Sequence, residues 1–280
     1  MENYQNVLFP YAYNILGSRT LAQDAIQEVM AKYFSGSTSE VNNPEAYLKR
    51  AVINQSINLK KKNQKTISSE EVWLPEPVAT DHTDKNIIQE NILSYSLLFL
   101  LEQLNPKERA VFILKEAFAY KHKEIAEVLS CSVPYSRKLL SRARSKVRGA
   151  DQSSATIPQA DAPAVQIDKY LTAIRNRDLE TLQSLLSEDV ALYADGGEAV
   201  KVVQHICNGR PDVSDLLMYV YQKFQQSQIV QSAIVNHQPA LLFYEDQLLK
   251  ACQVYHFDRN GQRIKRICNI LDPEKLKNID

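Results

Sequence analysis

The chain is expected to fold as a multidomain protein, two all-α helical domains followed by an α+β domain. Three observations predict it. At 280 residues the chain exceeds one ordinary domain and fits two or three. Apolar residues recur at helical spacing through the first half, then alternate in strand-like runs after position 190. Two polar, helix-breaking stretches, 66–86 and 150–164, divide the chain.

Residues 1–65 read as helices. "NVLFPYAYNILG" and "LAQDAIQEVMAKYF" place apolar side chains on one helical face. Asn43, Pro44 and Glu45 open another helix with proline at its first position, where the missing N–H has no partner to lose. That helix runs through "AYLKRAVINQSINLKKK" and ends in cations, which a helix C-terminus favours. The segment 66–86 is a linker, polar and acidic apart from the apolar knot "WLPEP" at 73–77. Helical spacing returns from Ile87, in "NIIQENILSYSLLFLLEQL", and marks a second helical domain at 87–149. Within it Asn105, Pro106 and Glu108 supply the cap, N1 proline and N3 carboxylate of a capping box. A second linker, 150–164, is small and polar with two prolines. The tail, 165–280, opens with two helical stretches around 165–187 and a helix at 212–226. "VALYAD", "IVQSAIVNH", "ALLFYED", "LKACQVYHFD" and "RIKRICNIL" then read as strands, with a hairpin turn at "DRNGQR", 258–263.

Charge is balanced over the chain, 33 cations against 33 acids, and unevenly distributed along it. Residues 66–104 hold one cation and seven acids, whereas 105–148 hold eleven cations and four acids. An electrostatic footprint is local, so the basic block matters where the total does not. No apolar run reaches the roughly 18–20 residues that cross a bilayer. "MENYQNVLFPYAYNILG" has no basic segment ahead of an apolar core, so no signal peptide is expected. A cytoplasmic protein without membrane contact is the expectation. Cys131, Cys207, Cys252 and Cys268 stand far apart with no CxxC pair, which fits reduced, mostly buried thiols better than a metal site or disulfide framework. Neither metal nor cofactor is expected.

The basic block has a pattern. From Pro134 to Arg148 there are six cations and no acid. Wound as a helix, Leu139, Leu140, Ala143 and Val147 share one face, and Arg137, Lys138, Arg142 and Arg148 stand opposite. Upstream, "KEIAEVLS" at 123–130 makes a short amphipathic helix, and Ser132 after the turn is placed to cap the next one. Helix, tight turn and cationic helix form a helix-turn-helix, whose second helix enters the major groove. Carboxylates there would be repelled by phosphates, which accounts for their absence. The bland alternative is a solvated basic face on a structural helix.

"LNPKERAVFILKEAFAYKHKEIAEVLSCSVPYSRKLLSRAR" (104–144) resembles region 4 of extracytoplasmic-function sigma factors of the sigma-70 family. "GSRTLAQDAIQEVMAKYF" and "NPEAYLKRAVINQSINLKKK" resemble region 2 of that family. "WLPEP" and the "DGG" at 195–197 are similar to motifs of the sigma-factor group with a fused SnoaL-like C-terminal domain. The resemblance implies core RNA polymerase and promoter DNA as partners. It implies a SnoaL-like, nuclear-transport-factor-2-like cone for the tail, which modulates the factor. Asp24, Gln27 and Glu28 match the motif that grips the polymerase clamp. Lys49, Arg50, Asn54, Asn58, Lys60 and Lys61 lie on or after the promoter-opening helix. Tyr47 is left between core and base contact.

In region 4, Arg137 and Lys138 are expected on upstream-element bases, Arg142 and Arg144 on phosphates, and Tyr135 on a base methyl or the backbone. Ser130 stands where the family often has a glycine. Trp73, the single tryptophan, is stiffened by Pro75 and Pro77, and with Leu74 it must dock somewhere out of water. Two sites are open for it: the helical regions, or the tail near Asp195, Gly196 and Gly197. For the tail, regulation by protein contact, sensing of a small molecule in a pocket, and catalysis all remain. Its candidate polar pocket groups are Tyr193, Asp195, His205, His237, Tyr255 and His256. Catalysis is not expected. The alternative to a sigma factor is a helix-turn-helix regulator that senses a small ligand through the tail.

Overall fold

The computed structural model describes residues 2–35, 42–64, 72–80, 91–150, 161–277 and 279. The start of the helix expected from Ile87 lies outside the described residues, as do 66–71 and 81–86 of the first linker and 151–160 of the second. The chain divides into two compact units. One comprises residues 1–68 and 82–152, the other 69–81 and 153–280. The linker stretch that carries "WLPEP" therefore belongs to the unit built by the tail.

The first unit is all-α: α1 (Glu2–Leu16), α2 (Arg19–Ser35), α3 (Pro44–Gln64), α4 (Tyr95–Leu101), α5 (Pro106–Glu116), α6 (His122–Val128) and α7 (Val133–Ala150). Its helix starts follow the local chemistry. The Asn43 side chain accepts from the Ala46 N–H (3.1 Å) ahead of α3. Asn105 and Glu108 form the reciprocal capping box of α5. Between α6 and α7, Ser130 takes a left-handed φ of 49°, and the Ser132 hydroxyl accepts from the Tyr135 N–H (3.3 Å).

Two separate helical domains were the expectation, and here they share a core. Tyr11 and Ile15 of α1 and Ile53 and Ile57 of α3 cluster with Val111, Phe112, Ile125, Leu139 and Leu140 from α5, α6 and α7. A buried ionic knot adds to it. Glu102 accepts from Arg109, which is fully buried, and from Lys60 (2.6 Å), and Lys60 also donates to the Leu16 carbonyl (2.8 Å). Burial pushes the Glu102 carboxyl up, but Arg109 and Lys60 outweigh it and hold it below the usual range.

The second unit is α+β, as expected for the tail. Helices α8 (Asp161–Arg175) and α9 (Leu179–Leu185) precede β1 (Leu186–Asp195) and β2 (Ile206–Asn208). Helix α10 (Arg210–Val220) runs into a π-helical turn, Tyr221–Gln225. Strands β3 (Ile229–Val235), β4 (Gln238–Glu245), β5 (Leu248–Phe257) and β6 (Ile264–Ile270) follow, then the short α11 (Pro273–Leu276). The six strands form one sheet in the order β2-β1-β6-β5-β4-β3, with β1 and β6 parallel and the other neighbours antiparallel. The 258–263 turn is present, with Gly261 at φ 68°. Strand β2 and helix α11 are additions to the expected elements, each too short to leave a periodic pattern. Side chains alternate across the sheet, so Leu192 and Ala194 face one side and Tyr193 and Asp195 the other.

Candidate nucleic-acid interface and linker anchor

On α2 the apolar stripe Ala22, Ala25, Ile26 and Val29 is buried, which turns Asp24, Gln27 and Glu28 to solvent. Glu28 pairs with Lys32 (2.5 Å), one helical turn on, and accepts from Gln55 of α3 (2.5 Å). The three side chains form an exposed acidic and polar face on a helix whose inner side is fixed.

Helix α3 places its candidate DNA residues unevenly. Asn58 and Lys61 are exposed. Lys49 pairs with Glu45 (2.6 Å) and lies over the Tyr11 ring. Tyr47 is 44% exposed beside Tyr33. Arg50 donates to the Ser130 hydroxyl (3.1 Å), and Asn54 donates to the Val128 carbonyl (2.9 Å). Both side chains are thus occupied by α6 and the turn after it. Lys60 is a correction. It was expected on DNA, but it is buried in the knot with Glu102, because it projects toward the α4 side of the unit.

Helix α7 presents the cationic face in the expected way. Leu139, Leu140 and Ala143 are buried, while Tyr135, Arg137, Lys138 and Arg142 are exposed. Arg144 is exposed as well, and its guanidinium meets Glu116 of α5 (2.6 Å). Lys146 meets Glu108 (2.7 Å). The α6–α7 pair is pinned by His122 Nδ1 against the Ser136 hydroxyl (2.9 Å). Burial, with nearby Lys115, Arg137 and Arg144, pushes the His122 pKa down, so the imidazole is neutral at neutral pH.

In the second unit the linker is strapped at two points. At the first, the Leu74 N–H donates to Asp195 Oδ2 (2.7 Å), and Lys275 Nζ bridges Asp195 Oδ2 (2.6 Å) and the Leu74 carbonyl (2.7 Å). Lys275 Nζ also stands 4.3 Å from the Trp73 ring centroid, a cation–π contact. Asp195 Oδ1 accepts from the Gly197 N–H (3.0 Å), which ties in the turn that follows β1. Only glycine fits there. A Cβ on Gly196 would stand 1.9 Å from the Val200 carbonyl oxygen, and Gly197 has φ 57° with Asp272 against it. At the second point Asn236, in the β3–β4 turn, pairs with Val78 through its backbone N–H and its side chain (both 2.9 Å). Ala79 then bridges Val235 of the edge strand. Pro75, between the two points, is buried. Lys275 and Asn236 had no sequence signal, because an isolated Lys in a short helix and an Asn in a turn look ordinary.

The other side of the sheet holds a cavity of about 200 Å³. Strands β1, β5 and β6, helix α10 and the π-helical turn wall it with Leu192, Ala194, Leu217, Phe224, Gln253 and Asn269, among others. None of the expected pocket groups lines it. Tyr193 and Asp195 point to the opposite face by strand alternation, and His205 and His256 contact Ala194 and Gln238 instead. Tyr255 is one step removed, its hydroxyl donating to Gln253 Oε1 (2.7 Å). Among the described lining residues there is neither carboxylate nor histidine.

Comparison with known families matches residues 1–66 to sigma-70 region 2 and residues 94–147 to sigma-70 region 4. The ECF RNA polymerase sigma factor SigJ of Mycobacterium tuberculosis H37Rv is 28% identical over 228 residues, 80% of this chain and 72% of that one. SigG of the same organism is 24% identical across 97% of this chain and 80% of its own. The crystal structure of M. tuberculosis SigJ superposes with a TM-score of 0.77 at 25% identity, covering 99% of this chain and 97% of that one. The chain thus carries sigma-70 regions 2 and 4 in order, followed by an α+β tail, and over this whole length it is similar to extracytoplasmic-function RNA polymerase sigma factors.

Proposed function

We propose that the chain directs promoter-specific transcription initiation by core RNA polymerase, and that its C-terminal unit modulates this by holding the linker between regions 2 and 4. The exposed α2 face of Asp24, Gln27 and Glu28 is the docking surface for polymerase. Helix α3, with Lys49, Asn58 and Lys61, opens the promoter, joined by Arg50 and Asn54 once they leave the Ser130 hydroxyl and the Val128 carbonyl. Tyr135, Arg137, Lys138, Arg142 and Arg144 on α7 read and hold the upstream element. The observation that carries the reading is the chemistry of α7. Its inner face is buried and its outer face is cationic and acid-free, within a chain that also carries region 2.

Regulation rests on Trp73, Leu74 and Pro75 meeting Asp195, Gly196 and Gly197. The segment that joins the two promoter-binding regions is held by hydrogen bonds to the tail, so the tail sets how freely those regions separate. The sheet cavity is the candidate place for a small molecule. A transcription assay tests the main reading: core polymerase with the purified chain yields promoter-dependent transcripts, and the Arg137→Glu/Lys138→Glu variant loses them. Reversing Asp24 and Glu28 abolishes polymerase binding. If those reversals left transcription intact and the free chain still bound duplex DNA tightly, a stand-alone helix-turn-helix regulator would replace this reading.

A further inference from the structure

The cavity of the second unit has features that packing alone does not account for. Its walls are mostly apolar, yet three amides are buried in them: Gln225, Gln253 and Asn269, each at most 6% exposed. Asn269 Oδ1 has no hydrogen-bond partner, and neither does Gln228 Oε1 at the same wall. A buried acceptor left unpaired is costly, and native folds rarely keep one without a reason. Ala194, Asn269 and Gln253 lie side by side across β1, β6 and β5, so the orphaned amide sits in the middle of the cavity floor. Gln253 Oε1 is taken by Tyr255, which leaves its amide N–H groups to donate. The wall facing this floor includes the π-helical turn 221–225, which brings Phe224 and Gln225 to the cavity. Such turns cluster at functional sites.

Size and charge narrow the occupant. An apolar cavity of about 150 Å³ takes benzene, so about 200 Å³ takes a somewhat larger ring system. It is below the roughly 300–1,000 Å³ of sites for drug-sized ligands. Among the described lining residues the charged ones are Lys201 and Lys250, both exposed and therefore at the rim, with Lys250 4.0 Å from Glu245. The buried floor is uncharged, and its unpaired amide oxygens ask for a donor. We propose that this cavity binds an uncharged, ring-sized apolar molecule bearing one N–H or O–H donor, held by Asn269, and that its occupancy is relayed to the linker anchor through β1.

The relay is short. Ala194 touches the cavity and Asp195, the next residue, holds Leu74 and Lys275 on the other face. Leu271 lines the cavity while its N–H donates to the Asp195 carbonyl (2.7 Å). Val200 lines it while its N–H donates to the Gly196 carbonyl (3.0 Å). A molecule that displaces these three walls moves the anchor. The proposal rests on the reading that the tail holds the linker to regulate the factor.

The test uses the full chain and needs no polymerase, so it separates this site from sigma activity. Indole is the probe, with benzofuran as a shape match that presents an oxygen where indole presents N–H. Titration calorimetry is expected to show saturable indole binding, about ten-fold tighter than benzofuran. Asn269→Leu is expected to abolish that preference while the unfolding temperature stays the same or rises, since the variant removes an unpaired buried group. The one tryptophan makes the ¹⁵N-labelled Trp73 side-chain N–H a unique signal, expected to shift as indole binds. Absence of saturable binding, or equal affinity for indole and benzofuran, overturns the site. Binding that leaves the Trp73 signal unmoved overturns the relay.

Discussion

At Asp195 the two carboxylate oxygens are divided between different tasks, Oδ1 on the Gly197 N–H and Oδ2 on the Leu74 N–H and Lys275. Both ion-pair partners are buried, at 8% and 4% side-chain exposure for Lys275 and Asp195. Breaking a buried pair from one side leaves a desolvated charge, which costs about 3–5 kcal/mol, whereas removing both charges costs much less. Lys275→Met is therefore expected to destabilise the second unit by about that amount, and adding Asp195→Leu to recover part of it, in urea unfolding. Asp195→Asn is expected to strip hydrogen-exchange protection from the Leu74 amide, because its neutral side chain holds Lys275 less firmly. Ser130 behaves differently. Its φ of 49° is one that glycine adopts without strain, and both Ser130→Gly and Ser130→Ala lose the hydroxyl that accepts from Arg50, so Ser130→Gly is expected to be more stable than Ser130→Ala by about 1–2 kcal/mol. Unfolding midpoints of Ser130→Gly and Ser130→Ala check it, since only glycine relieves the backbone.

Among elements, those with a strong period or a cap were legible. Helix α5 announced itself by Asn105, Pro106 and Glu108, and α7 by the opposition of Leu139, Leu140 and Ala143 to Arg137, Lys138 and Arg142. The "WLPEP" and "DGG" motifs pointed to an anchor, and Leu74 meets Asp195. What stayed hidden depends on pairings distant in sequence. Lys60 looked like one more cation in a basic run until Glu102, 42 residues later, buried it. The cavity lining also escaped, because a strand displays both faces in sequence, and Tyr193 and Asp195 stand on the face away from the cavity. The Glu102 knot that joins α3, α4 and α5 has a pH signature. Its folded carboxyl titrates below the unfolded value, so its contribution is fully present at neutral pH and is lost as acid protonates it below the usual carboxylate range. Unfolding followed between about pH 2 and 6 is expected to show a steeper acid limb for the native chain than for Glu102→Gln. Parallel limbs would remove the knot from the stability of this unit.

For the whole molecule, the proposed regulation follows from chain connectivity. Residues 69–81 run between regions 2 and 4, yet they pack as part of the unit formed by the tail. Covalently this segment is a tether between two DNA-binding regions, and non-covalently it is a strap on a sheet. A tether released from its strap gains reach and conformational freedom, which alters how often both ends engage one promoter without altering either end. Trp73→Ala removes the ring from over Lys275 and weakens the strap, but it leaves Asp24, Gln27 and Glu28 on α2 untouched. Transcript yield in a reconstituted reaction is therefore expected to change severalfold, while affinity for core polymerase stays within about two-fold, the scale of a surface substitution. Arg142→Ala serves as the contrast. It deletes one exposed cation, so it is expected to lower promoter affinity evenly across sequences and reduce the salt slope by about one. If Trp73→Ala mimicked Arg142→Ala, with weaker DNA binding and a shallower salt slope, the linker would be acting as part of the DNA interface and not as a strap.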